Sequence, residues 1–188
     1  MADISYGPGT PGDDELKLCG EVSDGKRAVE LGISPWFNSI AFARAGAKSI
    51  AVDTDARRIA ETRRRASAAE VQVQCLETDF ADLGDVASAS CEVVLAAHTI
   101  EHVDDLGRLL RQVHRILKPG LAFVISMSHP YADVSPERPY GTGARTIGDW
   151  FTALTRANFR VDQVLELGAT AQHPAPTTLV LRARKEGS

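Results

Sequence analysis

The sequence predicts a three-layer α/β fold, in which a mostly parallel sheet of seven strands lies between helices. Two observations lead to this prediction. Seven short apolar segments of strand length follow residue 26, and segments of helical periodicity separate the first five of them. These apolar segments also carry little charge, which is typical of parallel strands covered on both faces.

Residues 1–26 are expected to form an N-terminal extension that covers the functional pocket, with Tyr6 near it. The segment SYGPGTPGDD is rich in glycine and proline and is therefore expected to be irregular. The segment DDELKLCGEVS that overlaps it is expected to hold a short helix, capped by Asp13 or Asp14. Residues 27–188 are expected to be a single domain, because their number suits one core and no linker divides them.

The predicted strands, in chain order, are RAVEL, SIAVD, VQVQCL, EVVLAA, LAFVISM, RVDQVLEL and TTLVLRAR. The helices between the first five are FNSIAFARAG, DARRIAETRRRASAA, a weak FADLGDVASA, and DDLGRLLRQVHRILKPG, which has the clearest apolar stripe. Asp104 or Asp105 is expected to cap that last helix. A further helix, TIGDWFTALTRAN, precedes the final two strands, and the short GATAQHPAP connection predicts that these strands form an antiparallel hairpin at one edge.

The composition excludes several classes of protein. The net charge of −4 provides no basic field for nucleic acid or anionic lipid. Three cysteines without paired spacing argue against a secreted disulfide framework, and the sequence shows neither a signal peptide nor an apolar run of about 20 residues. We therefore expect a cytoplasmic protein with no nucleic-acid or membrane partner, whose oligomeric state stays open.

The first candidate functional residue is the acid that ends the second strand. Ligands of open α/β sheets bind beyond the carboxyl ends of the strands. Asp53 stands 21 positions after Gly32, a spacing typical of a carboxylate that accepts the two ribose hydroxyls of an adenosine. Either Asp53 or Asp55 could instead cap the next helix, and Asp55 is better placed for that role.

A second candidate pair follows the third strand, in the segment ETDFADL. Asp79 offers an acceptor for an adenine amino group, and Phe80 offers an apolar face beside the ring. An acid before a helix is common, so this pair supports an adenine site only in combination with Asp53.

From residue 27 to its end, the chain resembles the class I S-adenosylmethionine-dependent methyltransferases of the small bacterial type. The matching segments are VELG, AVD, ETDFADL, VVLAAHTIEHVDDLGRLLRQVHRILKPG and FVISMSHP. The resemblance implies a Rossmann-like three-layer sandwich with an antiparallel last strand, and S-adenosyl-L-methionine as the cofactor. The family usually has a second glycine after KPG, where this chain has Leu121.

The same resemblance implies roles for individual residues. Glu30 would orient the cofactor's amino group through water, and the backbone of residues 97–98 would lie beneath the methionyl and sulfonium end. The loop of residues 32–34 would face the methionyl part, Asp53 would hold the ribose, and Asp79 with Phe80 would hold the adenine. The implied cofactor-binding residues are Glu30, Gly32, Ser34, Asp53, Thr54, Asp79, Phe80, Ala97 and His98.

The cofactor loop departs from the family pattern E/D-x-G-x-G-x-G. Gly32 is kept, but Ser34 and Trp36 replace the next two glycines, which would tolerate positive φ and a close ligand. Trp36 is expected to point either into the core or over the pocket. S-adenosylmethionine has no pyrophosphate, so its loop tolerates such losses better than an NAD loop, whose G-x-G-x-x-G fingerprint is absent.

A zinc site is an alternative interpretation of the segment HTIEH. His98, Glu101 and His102 match the H-x-x-E-H pattern of one class of zinc peptidases. That pattern requires a helix through all five residues, whereas here the residues follow a buried strand directly. We therefore expect no metal.

Methyl transfer from a sulfonium is an in-line displacement, in which the protein mainly aligns the reactants. His129 and His98 are the candidate catalytic residues, as bases or as groups that orient the acceptor, with Tyr131 a weaker candidate. The insertion at residues 129–145 is too short for a separate lid domain and favours a small-molecule acceptor. Two alternatives remain: a non-catalytic binding or regulatory module that keeps the fold, and a nucleic-acid methyltransferase, which the acidic balance disfavours.

Overall fold

The computed structural model describes residues 4–132, 134–172 and 174–187. In this part of the chain, seven strands form one sheet with helices on both faces, which confirms the predicted fold class. The strands are β1 (Arg27–Leu31), β2 (Lys48–Asp53), β3 (Val73–Glu77), β4 (Cys91–Ala97), β5 (Leu117–Ser128), β6 (Phe159–Leu167) and β7 (Thr178–Lys185). Their spatial order is β3-β2-β1-β4-β5-β7-β6, and β7 runs antiparallel to both of its neighbours.

The helices are α1 (Asp13–Leu16), α2 (Asn38–Arg44), α3 (Ala56–Ala68), α4 (Leu106–Ile116) and α5 (Ile147–Arg156). Two predicted caps are confirmed, because Asp55 accepts from the Arg57 N–H and Asp105 accepts from the Arg108 N–H, each at 2.8 Å. The described chain contains no helix with the length and apolar character needed to cross a bilayer.

The predicted weak helix FADLGDVASA was wrong, since residues 80–89 form a series of turns. Leu83 and Val86 of this segment are buried in the core, and Arg115 of α4 donates to their two carbonyl groups at 2.6 and 2.8 Å. A side chain from a distant helix therefore satisfies backbone acceptors that a local helix would otherwise have paired.

The predicted cap of the first helix was also wrong. Gly12 is the N-cap of α1, whereas Asp13 is buried and its Oδ1 accepts from the backbone N–H groups of Leu18 and Cys19 at 2.6 and 3.0 Å. The hydroxyl of the fully buried Tyr6 donates to the same oxygen. Asp13 thus organises the residues around α1 from the inside instead of capping the helix.

Two apolar layers hold the sheet. On one face, α4 and α5 pack on the strands through residues such as Leu110 and Trp150. On the other face, α2 and the N-terminal residues 4–22 pack on β1, β4, β5 and β7. Within residues 4–22 the N-terminal extension therefore contributes to the core, and its first described residue, Ile4, is 7% exposed.

We expect Leu110→Ala to lower the free energy of unfolding by about 2–5 kcal/mol, because Leu110 is fully buried on the apolar stripe of α4. The neighbouring exposed residue provides the control, since Arg111→Ala should change stability by no more than about 0.5 kcal/mol. Urea unfolding of both variants would measure the difference. Equal losses would mean that the stripe of α4 does not face the core.

Candidate active site

A buried carboxylate organises the loop between β1 and α2. Glu30 is fully buried and accepts five hydrogen bonds from Ser34, Asn38 and Ser39. Three of the donors are backbone N–H groups, two of them at the start of α2, where the helix dipole also favours a negative charge. Burial raises the pKa of Glu30, while the hydrogen bonds from Ser39 and Ser34 offset part of that rise. The predicted contact of Glu30 with the cofactor's amino group stays a prediction.

The glycine that the loop keeps is sterically required. Gly32 has a φ of 77°, and a Cβ atom at this position would stand 2.3 Å from the Cβ of Thr99. The Thr99 hydroxyl donates to the carbonyl of Leu31 at 2.6 Å, so the segment after β4 packs directly on the turn after β1. Thr99 is not predicted from the sequence, because no sequence pattern marks a threonine as the partner of a glycine.

The two residues that replace glycines are accommodated in different ways. Ser34 has a negative φ, and its hydroxyl donates to Glu30 at 2.8 Å, so it causes no backbone strain. Trp36 is half-buried against the apolar layer of α2, and the centroid of its ring lies 5.7 Å from that of His98. The non-glycine residue with positive φ in this loop is Phe37, at 52°, which is the N-cap of α2.

Asp53 stands at the tip of β2, is 5% exposed, and has one backbone donor on each oxygen. The Ile33 N–H donates to Oδ2 at 2.7 Å, and the Asp55 N–H donates to Oδ1 at 2.8 Å. Arg58 of α3 donates to the carbonyl of Ile33, so both the N–H and the C=O of Ile33 are hydrogen-bonded. Thr54, the neighbour of Asp53, is exposed at the same edge.

Asp79 and Phe80 lie at the carboxyl end of β3, next to the segment that follows β4. Asp79 is exposed, and its Oδ1 accepts from the Ala81 N–H at 2.7 Å. Phe80 is half-buried and lines an open cleft of about 260 Å³ together with His98, Thr99 and residues 101–103. The structure thus brings Phe80 and His98 together at the edge where the sequence predicted both.

His98 follows the fully buried Ala97 and adopts a positive φ of 55°. Its backbone N–H donates to the carbonyl of Ser126 at 2.8 Å, and its Nδ1 lies 3.3 Å from Oε1 of Glu101. Its Nε2 is buried without a hydrogen-bond partner among the described residues. A Cβ atom on Gly7 would stand 2.8 Å from that Nε2, so the N-terminal extension lies directly over it.

Glu101 links the segment after β4 to the end of β5. Its Oε1 accepts from the Ser128 N–H at 2.6 Å and faces His98. Burial acts to raise the pKa of Glu101, but hydrogen bonds from His98 and Ser128 outweigh it and hold the pKa below its ordinary value.

His129 is 5% exposed and has hydrogen bonds at both ring nitrogens. Its Nδ1 accepts from the Tyr131 N–H at 3.2 Å, and its Nε2 lies 2.9 Å from Oε1 of Glu166 on β6. Together with residues from the insertion and α5, His129 lines a second cleft of about 140 Å³ at the end of β5. Tyr131 itself is 55% exposed.

The segment HTIEH is not helical, because α4 begins only at Leu106. The described residues include no group of three or more His, Cys, Asp or Glu side chains arranged to hold a metal ion.

Known proteins resemble this chain in sequence and in structure. A family model for a methyltransferase domain matches residues 29–125. The uncharacterized protein YafE of Escherichia coli (strain K12) is 27% identical over 62% of this chain and 61% of that protein. The ubiquinone biosynthesis O-methyltransferase of Bradyrhizobium sp. (strain ORS 278) is 28% identical over 54% of this chain. The chain spans 61% and 40% of the lengths of these two curated relatives.

Solved structures share the fold. An S-adenosylmethionine-dependent methyltransferase from Mesorhizobium loti aligns with a TM-score of 0.76 and 24% identity, over 90% of this chain and 95% of that one. A putative S-adenosylmethionine-dependent methyltransferase from Listeria monocytogenes aligns with a TM-score of 0.74 and 16% identity, over 92% and 95% of the two chains.

We expect Glu30→Gln to lower the free energy of unfolding by about 1–3 kcal/mol, because an amide NH₂ would then face backbone N–H donors. Glu77→Gln, at the exposed end of β3, provides the control and should change stability by no more than about 0.5 kcal/mol. Denaturant unfolding at neutral pH measures both. A neutral Glu30→Gln variant would show that the carboxylate is not the centre of the loop.

Proposed function

Since the chain belongs to the methyltransferase-domain family, we propose that it transfers the methyl group of S-adenosylmethionine to a small-molecule acceptor by in-line displacement. The family match covers residues 29–125, which hold the β1 loop, the tip of β2 and the segment after β4. The sulfonium of the cofactor supplies an activated methyl group. The task of the protein is therefore to bind and align both reactants.

The observation that carries this proposal is the state of Asp53. Two backbone N–H groups, from Ile33 and Asp55, each occupy one lone pair of the carboxylate and fix its orientation. A carboxylate has about four lone-pair sites, so each oxygen keeps one acceptor site for a ribose hydroxyl. The same hydrogen bonds tie the β1 loop to the tip of β2, so a ligand held by Asp53 would lie against both.

The remaining cofactor contacts follow from the cleft beside Phe80. An adenine ring can lie on the apolar face of Phe80, with the exposed Asp79 at the same strand end as acceptor for its amino group. Thr99 and His98 line the same cleft, and Ala97, whose backbone is a proposed contact of the methionyl end, precedes His98 at the end of β4. Gly32, Ser34 and Thr54 complete the set of proposed cofactor contacts, while Glu30 acts behind the loop by holding its shape.

Of the two histidine candidates, His98 fits the role of proton acceptor better. The Nδ1 of His129 accepts a hydrogen bond, so its Nε2 carries the proton and donates to Glu166. In His98, by contrast, Nδ1 faces the Glu101 carboxylate and carries the proton, which leaves the lone pair of Nε2 unpaired. Gly7 lies over that atom, so an acceptor reaches Nε2 only when the segment around Gly7 moves. His129 then contributes to the shape of the acceptor cleft.

The size and charge of the molecule support a small acceptor. The cleft of about 140 Å³ at the end of β5 suits part of a small molecule, and the net charge of −4 does not favour nucleic acid. The three cysteines are free thiols, which is consistent with the predicted cytoplasmic location.

A second candidate function is a binding or regulatory module that keeps the fold without catalysis. It is favoured by the contact of Thr99 with Gly32, because a side chain occupies the backbone surface that the family leaves to the cofactor. The two functions differ in whether the protein transfers the methyl group, since a non-catalytic module could keep the ligand.

Calorimetric titration with S-adenosylmethionine and S-adenosylhomocysteine tests the proposal, and we expect both to bind. Asp53→Ala should weaken binding by about 1.5–3 kcal/mol through the loss of charge-assisted hydrogen bonds. Asp55→Ala removes the cap of α3 and costs about 1 kcal/mol of stability, but should leave cofactor affinity unchanged. Absence of heat with both ligands at millimolar concentration would contradict cofactor use, and equal affinities of the two variants would remove the ribose assignment.

The proposed state of His98 has its own test. We expect Glu101→Ala to reduce the population of the Nδ1–H tautomer of His98, because the variant loses the acceptor that faces Nδ1. Glu166→Ala is the matched control, since it should alter the ring of His129 and leave His98 unchanged. Long-range ¹H–¹⁵N spectra of the imidazole nitrogens distinguish the tautomers. An unchanged tautomer population of His98 in Glu101→Ala would refute the assignment.

A further inference from the structure

We propose that the acceptor group methylated by this protein is a weakly acidic hydroxyl, of the phenol or enol class, and that it binds between Nε2 of His98 and Oγ of Ser126. The proposal rests on the proposed function, because it names the acceptor of that reaction. It is based on these two buried side-chain atoms, which have no hydrogen-bond partner among the described residues and which belong to neighbouring strand ends.

The Ser126 hydroxyl points to the face of the sheet that the N-terminal extension covers. Ser126 is fully buried, and its partners in register are Ala97 of β4 and Val180 of β7. Both partners belong to the apolar layer that includes residues of the extension. Because side chains directly opposite each other in a sheet point to the same face, the Ser126 hydroxyl points into this layer.

Gly7 of the extension bridges the two strands that flank β5. A Cβ atom on Gly7 would stand 2.8 Å from Nε2 of His98 and 3.3 Å from Oγ1 of Thr178. His98 follows β4 and Thr178 begins β7, and β5 lies between these two strands in the sheet. Ser126 stands at this level of β5, since its carbonyl accepts from the His98 N–H at 2.8 Å. The polar side chains of His98, Ser126 and Thr178 therefore form one group on the side of Gly7.

The two unpaired atoms match the hydrogen-bonding capacity of a hydroxyl. Most buried side-chain polar atoms have a partner, so two exceptions on one face indicate a place for a ligand. Nε2 of His98 offers a lone pair, because the proton of this imidazole is on Nδ1, which faces Glu101. The Ser126 hydroxyl can donate. A ligand hydroxyl satisfies both atoms, since its O–H donates to Nε2 and its lone pair accepts from Ser126.

The surroundings of the imidazole favour a neutral, planar acceptor. The ring centroid of Trp36 lies 5.7 Å from that of His98, and the adjoining layer is apolar, so an aromatic ring can pack there. An amine would arrive as an ammonium at neutral pH and would need a carboxylate beside it. The carboxylate that contacts His98 is Glu101, and it faces Nδ1 instead of Nε2.

The acidity of the hydroxyl follows from the base. In the transfer, the hydroxyl proton moves to Nε2 of His98, and the oxygen keeps the electron pair of that bond. An oxygen pair then forms the new bond to the methyl carbon, whose bond to sulfur breaks with its pair going to the sulfur. The resulting imidazolium is stabilised by Glu101, which lies 3.3 Å from Nδ1. An imidazole is a weak base and takes a proton more readily from a phenol or an enol than from an aliphatic alcohol.

The acceptor reaches these atoms by movement of a short flap, residues 7–12, with the sequence GPGTPG. The base of the flap is closed by the Asp13 N–H, which donates to the Ile4 carbonyl at 2.9 Å, and by the Tyr6 hydroxyl, which donates to the Asp13 carboxylate. Three glycines in six residues give the flap backbone freedom. The flap can therefore lift from the imidazole while its base stays closed.

NMR titration of the full chain with phenol tests the proposal. Anisole is the probe without an O–H group, and benzylamine is the ammonium probe. We expect phenol to cause a saturable shift of the His98 Nε2 signal in long-range ¹H–¹⁵N spectra, because Nε2 gains a donor. Anisole should bind roughly tenfold more weakly, since it cannot donate to Nε2. Benzylamine should cause no saturable shift of this signal.

A substitution on β5 tests the second contact. Ser126→Ala should weaken phenol binding by roughly fivefold, because the phenol oxygen loses its donor. The variant should keep the fold, since the deleted hydroxyl has no partner in the described structure. Ser67→Ala, at an exposed position of α3, is the matched control and should leave phenol binding unchanged.

Three results would overturn the proposal: a His98 Nε2 signal that phenol does not shift, equal affinities for phenol and anisole, and equal phenol affinities of Ser126→Ala and Ser67→Ala. Saturable binding of benzylamine at Nε2 would overturn it in favour of an amine acceptor. The titration contains no S-adenosylmethionine, so its failure is distinguishable from a failure of cofactor binding, which calorimetry reports separately.

Discussion

The buried carboxylate of Glu30 is the interaction on which the functional edge of the sheet depends. It collects donors from the turn after β1 and from the first residues of α2, so one side chain defines both the loop and the direction of the helix. A charged group in such a place is tolerated only because its oxygens are fully paired. Ser34 belongs to this set of donors, so the serine that replaces a family glycine contributes hydrogen bonds to the loop.

The same set of contacts reaches the N-terminal extension. The side chain of Asn38, whose backbone N–H donates to Glu30, accepts from the Ser5 N–H at 2.8 Å and donates to the Ser5 carbonyl at 2.9 Å. Of the next residues, Tyr6 is fully buried in the core and Gly7 lies over His98. The loop after β1, the described part of the N-terminal extension and the end of β4 are thus in contact with one another.

Periodicity predicted most of the fold, because long amphipathic segments and their caps carry their signal locally. The stripe of α4 and the caps at Asp55 and Asp105 are of this kind. Residues 80–89 were predicted to be helical because the pattern could not show that Arg115, far along the chain, pairs with their carbonyl groups.

The site divides in the same way. Asp53 and Phe80 follow from strand ends and spacing, and the structure places both at the expected edge. The pairing of Thr99 with Gly32 and that of Glu101 with His98 are contacts between loops, and no spacing rule encodes them. The positive φ of Phe37 and of His98 likewise results from tertiary packing, since local sequence gives no signal for it at either position.

The position of β7 between β5 and β6 has a consequence for how the chain reaches this state. In the described structure β6 borders β7 alone, yet β6 precedes β7 in the chain and must remain without a partner until β7 has been synthesised. The edge of β5 that pairs with β7 also lacks a partner until then. Completion of the sheet is therefore delayed until β7 has been synthesised, and a chain without β7 would leave the edge of β5 and the whole of β6 open to aggregation.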